Sequence, residues 1–343
     1  MKPGRFLNKL LFQPRPRALL LLASFFLLTT FVTPPPPPRL IGPGVAPLVA
    51  TAIALDPGRS GIWRQGPLLF RRGWALSSPD RRFGGVSAIH VERGRAMAIS
   101  DDGYVLRFAL PGAGPATVAI SPLRDGPGNR DSKLDRDTEA MLVAGANVWV
   151  GYERHNMIWR HRRRDFRAES SARPAAMRRW RRNSGAEAMA RLADGRFLVL
   201  GEGGGGEFSP VVLFDGDPAS PTTAASALRI RCPPGYRVTD AAALPDGRLL
   251  VLFRRFDWRS GFSAQLAVAN ADGLDEGATI EPRLLARLAP PLAVDNMEAL
   301  SVAVEGGRTI VRIASDDNFM RWQRTLLLEF ELAEGEAAAR PSN

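Results

Sequence analysis

The 343 residues include one cysteine, three lysines, three histidines and three tyrosines. Each scarcity excludes something. Cys232 alone cannot form an intramolecular disulfide or a cysteine-based zinc site, and its Arg-Cys-Pro-Pro setting reads as a buried or loop thiol. His90, His155 and His161 make no recognisable Cys–His motif. With lysine confined to Lys2, Lys9 and Lys133, arginine carries nearly all of the positive charge behind the net +11. No long segment has a 3.6-residue period, which argues against a helical solenoid. No EF-hand loop occurs. No helix-turn-helix, zinc-finger spacing or RNP-like segment accompanies the basic stretch 154–182, so no nucleic-acid partner is expected. That stretch reads as a solvated face or an anion-facing patch.

Glycine (33) and proline (28) are plentiful and spread along the chain, as many short strands joined by turns require. The hydrophobic content of 45% is enough for a sizeable core.

The N-terminus stands apart. Residues 1–17 carry five basic residues and no acid, and an apolar run, ALLLLASFFLLTTFV, fills 18–32. This is the pattern of an export signal. The run is short for a membrane span of about 20 residues, and no clean small-x-small cleavage site follows it. Two readings stay open for 1–33, a cleaved signal peptide or an uncleaved N-terminal anchor helix, with the basic end cytoplasmic in both. Residues 34–47, opening with Pro34–Pro38, read as an extended linker. The chain is therefore expected to be exported, periplasmic or secreted, with the inner membrane as a partner if the segment is retained.

Five segments then repeat one grammar at a spacing of about fifty residues: 83–103, 137–156, 184–204, 238–257 and 296–318. A small or acidic residue precedes a short apolar strand. A turn such as ADGR, PDGR or EGGR follows, then a second apolar strand ending in a polar cluster. Asp-Gly and Gly-Gly supply the positive φ of tight hairpins. Fifty residues accommodate four strands, the content of one propeller blade. The fold class is all-β, a β-propeller over 48–335, followed by a tail at 336–343. Five clear copies plus the strand material at 48–76 suggest six blades, with TLLLEFELAE closing the ring beside the first.

The repeat places acids at recurring positions. Glu139, Glu187, Asp240 and Glu298 stand before the first strand; Asp101, Asp102, Glu153, Glu202, Asp316 and Asp317 stand where the second strand ends. Equivalent positions of a propeller meet around its axis. Carboxylates there can hold Ca²⁺, and Glu139, Glu187, Glu298, Asp316 and Asp317 are the expected metal ligands. Such groups can also polarise water against a phosphate ester while arginines neutralise the oxyanion. Glu153, Arg154, His155 and Arg324 are the expected catalytic residues, with Arg254 a further oxyanion partner. The competing reading is that repeat acids cap turns and tie neighbouring strands through backbone N–H groups. Ser87 in GGVSAI lacks the final glycine of a nucleophile elbow, and GEGGGGE (201–207) lacks the lysine and context of a P-loop. Trp149, Trp159, Trp180, Trp258 and Trp322 follow no helical period and read as packing.

FGGVSAI with AISDDG, DTEAM with VGYERHNMIWR, and DNMEAL with SDDNFMRWQRTLLLEFEL resemble the phytase-like family, also called esterase-like activity of phytase, over roughly 55–332. The closing segment is the most specific. Alanine replaces the family's glycine in Glu139-Ala140, Glu187-Ala188 and Glu298-Ala299, and Ala88 stands where glycine is common. The resemblance implies a propeller related to calcium-dependent phytases, with phosphoesterase or esterase activity on an anionic or ester substrate. The alternative is a non-enzymatic binding or scaffolding propeller at the cell envelope. A monomer is expected.

Overall fold

Short apolar strands joined by tight turns pair antiparallel with their neighbours in sequence, and here they make a ring of four-stranded sheets. The computed structural model describes residues 42–333 apart from 60, 62, 113, 130, 131, 182–184 and 204. The segments read as signal or anchor (1–33) and tail (336–343) lie outside the described residues, as does most of the proline-rich stretch. Among the described residues no helix is long and apolar enough to cross a membrane.

Blade 1 runs from the inner to the outer strand as Val86–Glu92, Arg95–Ser100, Tyr104–Ala109 and Ala116–Pro122. Blade 2 is Thr138–Ala144, Asn147–Tyr152, Met157–Arg162 and Ala168–Ala172. Blade 3 is Ala186–Arg191, Phe197–Gly201, Phe208–Phe214 and Ala225–Arg231, with a short parallel strand, Thr279–Ile280, on its outer edge. Blade 4 is Arg237–Ala243, Leu249–Asp257, Gly261–Ala269 and Arg283–Leu288. Blade 5 takes three strands from the C-terminal end, Asn296–Glu305, Arg308–Asp316 and Thr325–Leu332. Its fourth, Leu68–Ser77, comes from the N-terminal side.

The described residues thus form five blades, where the repeat count suggested six. The strand material at 48–76 builds no blade of its own. Leu68–Ser77 completes blade 5, and Gly44–Ala52 pairs with it on one side and with the outer strand of blade 1 on the other. That strap begins inside the stretch read as linker. TLLLEFEL does take part in closure, as the strand onto which Leu68–Ser77 is laid. Closing the ring with strands from both chain ends leaves few exposed sheet edges.

Five apolar clusters fill the five blade interfaces. Ala88, Ile99 and Met141 meet between blades 1 and 2; Trp149 and Val212 between 2 and 3; Leu200 and Val251 between 3 and 4; Leu250 and Leu328 between 4 and 5; Leu106 and Leu327 between 5 and 1. A fully buried leucine such as Leu328 contributes about 1.5–3 kcal/mol by leaving water. Buried charge also ties the closure. Arg312 and Glu329, almost wholly inaccessible, pair at 2.8 Å, and Glu329 also accepts from Arg72 of the closing strand at 2.9 Å.

Candidate functional site

Each inner strand breaks its pairing at the same place. The register slips between Val86 and Ala88, Thr138 and Ala140, Ala186 and Ala188, Val238 and Asp240, and Met297 and Ala299. The residue left unpaired is in turn Ser87, Glu139, Glu187, Thr239 and Glu298. A bulge re-aims its extra side chain away from the ladder. On the facing strands the last partners are Ser100, Tyr152, Gly201, Phe253 and Ser315 or the residue after. The residues following these five are Asp101, Glu153, Glu202, Arg254 and Asp316. Two five-membered rings of equivalent positions therefore stand at one end of the propeller, and most of their members are acids.

The acids come together. Oxygens of Asp137, Glu139 and Glu153 lie within 4.8 Å of one another. Glu139 feels the charges of Glu187, Glu298, Asp137 and Asp101; Asp316 feels Glu298 and Asp101. Arg254, itself largely withdrawn from water, reaches Glu298 at 3.2 Å and Glu202 at 3.6 Å, and donates to Asn296 Oδ1. Arg237 reaches Glu202 at 3.0 Å. Lys133, on a 3-10 turn, reaches Asp101 at 2.9 Å and Asp102 at 3.0 Å.

Burial without enough counter-charge raises carboxyl pKa values. Loss of water, then Glu187 and Glu298, hold Glu139 well above the usual range. Loss of water, then Glu202 and Glu153, do the same to Glu187. Burial and then Asp137 push Glu153 up to about 8. Burial pushes Asp101 up to about 7 against the opposing pull of Lys133. Asp316 is raised by burial and then Glu298, and Glu298 by burial against the opposing pull of Arg254. Such a set either keeps protons or binds a cation. Three convergent carboxylates are a hard oxygen donor set, which fits Ca²⁺.

The sequence-based candidates separate. Glu139, Glu187, Glu298 and Asp316 all lie in the two rings, and Glu153 lies in the outer one. Arg154 follows Glu153; burial raises the pKa of Asp137, and the charges of Lys133 and Arg154 oppose that shift. His155 turns aside, its Nε2 2.9 Å from Asp135 Oδ1. Arg324 is half exposed, and its Nε lies 3.8 Å from Asp295. Asp317 stands one residue past its ring. It accepts from the backbone N–H of Gly85 at 2.9 Å and Phe319 at 3.1 Å, and from Thr325 Oγ1 at 2.9 Å, so its carboxylate joins blade 5 to blade 1.

Asp240 is not the equivalent of the three glutamates. The bulge makes Thr239 their counterpart, while Asp240 accepts from Leu300 N–H at 2.6 Å and ties blade 4 to blade 5. Ser87 and Thr239 each donate across to the next inner strand, to Thr138 O at 2.6 Å and Met297 O at 3.1 Å. The bulge position therefore does two jobs: hydroxyls stitch blades, and glutamates line the mouth. Cys232 is buried beside Ser209, in keeping with a structural thiol.

Asp137, Arg237 and Lys133 escaped the sequence reading. Asp137 was visible as an acid two residues ahead of Glu139; Lys133 and Arg237 come from a turn and a strand start that carry no repeat signal. Two tryptophans read as packing do not pack: Trp258 and Trp322 are 78% and 67% exposed. Each lies in a loop following the second strand of its blade, the same end of those strands that carries Arg254 and Asp316.

A family model described as phytase-like, esterase-like activity of phytase, matches residues 81–319. No curated protein matches the sequence. Among solved structures, glutaminyl cyclase of Myxococcus xanthus aligns at 11% identity over 78% of this chain and 97% of that one, with a TM-score of 0.46. The WD40 domain of Toxoplasma gondii coronin aligns at 8% identity over 88% and 91%, with a TM-score of 0.38. The β-propeller domain of Cps50 (Swd1) from Myceliophteria thermophila aligns at 8% identity over 84% and 100%, also at 0.38.

Proposed function

The chain belongs to the phytase-like family, and we propose that it is an exported hydrolase of phosphate esters or other esters, working with Ca²⁺ at the acidic mouth. The observation that carries this reading is the convergence of Asp137, Glu139 and Glu153 within 4.8 Å, with Arg254 set among the acids of the same rings. Asp137, Glu139 and Glu153 would hold the ion. When bound, Ca²⁺ supplies a fixed positive charge that polarises an ester or phosphoryl oxygen.

The chain's own groups divide the remaining work. Arg254 is fixed by Glu298, Glu202 and Asn296, so its guanidinium is oriented before substrate arrives. An oriented donor in a water-poor mouth stabilises developing oxyanion charge without having to reorganise. Glu187, held well above the usual carboxyl range by burial and then Glu202, would be the group to give a proton to a leaving oxygen. Arg154 borders the ion-holding group and would draw anionic substrates inward. His155 and Arg324, engaged with Asp135 and Asp295, would act from the rim. The basic n-region and apolar run of 1–33 support export, as a cleaved or an anchored protein, and the chain is taken to act as a monomer.

The test is turnover of phytate, an aryl phosphate and an aryl acetate by the purified protein, with Ca²⁺ and with chelator. The expected result is calcium-dependent turnover of at least one ester class. Arg254→Met should lower kcat by about 100-fold, in the range seen when one oxyanion donor is removed. Calcium binding with no turnover on any of the three would favour the binding propeller instead.

A further inference from the structure

The end of blades 1 and 2 opposite the acidic mouth carries a groove of the opposite charge. Arg95 opens the strand that ends at Ser100, so about five residues at roughly 3.3 Å each, some 17 Å, separate the two sites. The groove has a volume of about 730 Å³ and continues into a second hollow of about 700 Å³ that shares Met97, Arg107 and Arg163 with it.

Its cations are unevenly compensated. Arg163 pairs with Glu92 at 2.7 Å and Arg162 with Asp165 at 2.8 Å. Arg107 pairs with no carboxylate among the described residues. It is half-buried, lies over the Phe166 ring at 5.0 Å, and donates Nη2 to the Arg163 carbonyl at 3.1 Å. Burial and then the Arg163 charge lower its pKa, as expected where positive potential is in excess. Arg95, exposed on the rim, has no ion pair among the described residues. His90, on the groove wall, has a buried Nε2 without a hydrogen-bond partner, 3.9 Å from Glu92.

A solvated arginine cluster would not look like this. A surface arginine is mobile, whereas Arg107 is pinned on an aromatic face and a carbonyl with the rest of its fork undirected. Partly buried charge is costly unless paired. Beside it, Met97, Ala119 and Val45, in one cross-strand row with His90 and Arg107, make an apolar floor.

We propose that this groove is a second binding site, taking an organic anion with a phosphate or carboxylate head and an apolar body. The head would sit against Arg107 and Arg95, whose planar forks suit such oxygens, with His90 Nε2 as a further polar partner. The body would lie on the Met97–Ala119–Val45 floor. The inference is independent of the reaction at the mouth.

Titration calorimetry with octyl phosphate below its micelle concentration, and with inorganic phosphate, tests it. Saturable one-site binding is expected, tighter for octyl phosphate and weakened by salt. Arg95→Ser, at an exposed position, should leave the melting temperature unchanged and weaken binding about tenfold, the worth of one charge-assisted hydrogen bond. Arg107→Met should abolish it, while Arg259→Ser on blade 4 leaves it unchanged. Absence of saturable binding, or equal affinity in Arg95→Ser and the parent, would overturn the proposal. So would binding to phosphatidate vesicles without binding to the free alkyl phosphate, since the groove is assigned to a free ligand.

Discussion

At the scale of single residues, the mouth depends on close approaches that only small or oppositely charged groups permit. Gly85 has φ +60°, and a Cβ there would fall 2.2 Å from Asp101 Oδ1 and 2.5 Å from the Phe319 ring. Gly85→Ala should therefore destabilise the fold by about 1–3 kcal/mol, the usual cost of a non-glycine residue forced into left-handed backbone, and displace Asp101. Urea denaturation measures the first, and a loss well above that of Gly206→Ala, where φ is ordinary and a Cβ meets nothing, is the expected contrast.

Titration adds a second prediction. Asp101 and Glu153 titrate near 7 and 8 in the fold, against ordinary values of 3.8 and 4.5. Raised carboxyl values mean that the folded state binds more protons than the unfolded state. That stability is fully present below about pH 4 and is lost as pH rises through 7 to 8. In chelator, the melting temperature should fall between pH 5 and pH 9. Millimolar Ca²⁺ should remove most of that fall, because bound cation replaces the protons. A melting temperature that rises over this range in chelator would contradict the assignment.

Residue identity was the part of the site most legible in the sequence. Glu139, Glu187, Glu298, Glu153 and Asp316 could be named because the repeat puts acids at the same two places. Asp240 and Asp317 share the repeat spacing but not the placement. A bulge is not visible in a string of letters, and one residue of register decides whether a carboxylate lines the mouth or caps a neighbouring strand.

Among elements, the inner hairpin is the unit that carries the acidic rings, and the closing strand is the unit that carries stability. The hairpins were legible from their Asp-Gly and Gly-Gly turns and their apolar flanks. The role of Leu68–Ser77 was not, because it pairs with Thr325–Leu332 about 250 residues away and nothing local announces such a partner. Its attachment rests partly on Glu329, which serves Arg312 and Arg72 from a buried position. Glu329→Leu leaves Arg312 buried without this partner, and should cost about 3–5 kcal/mol. Equilibrium unfolding in guanidinium checks it; a change below about 1 kcal/mol would mean that Glu305, at 2.9 Å from Arg312, suffices alone.

For the whole molecule, a ring closed by both chain ends should unfold as one body, because removing one outer strand opens two interfaces. A fragment starting at residue 79 lacks Gly44–Ala52 and Leu68–Ser77 and should fail to give a cooperative melt, whereas one starting at residue 42 should fold. Circular dichroism on the two fragments decides it. The propeller class was legible from spacing; the blade count was not, since the extra strands outside the five repeats resemble a sixth blade until their partners are seen.

The inner hairpin of blade 2 gathers Asp137, Glu139 and Glu153 within 4.8 Å of one another, as the group proposed to hold the cation. Calcium titration calorimetry on the wild type and on Asp137→Asn with Glu153→Gln tests it most directly. Saturable binding to the wild type is expected, accompanied by proton release at pH 7, with its loss in the double variant without loss of fold. Calcium binding of equal strength in the double variant, or none in a folded wild type, would contradict it.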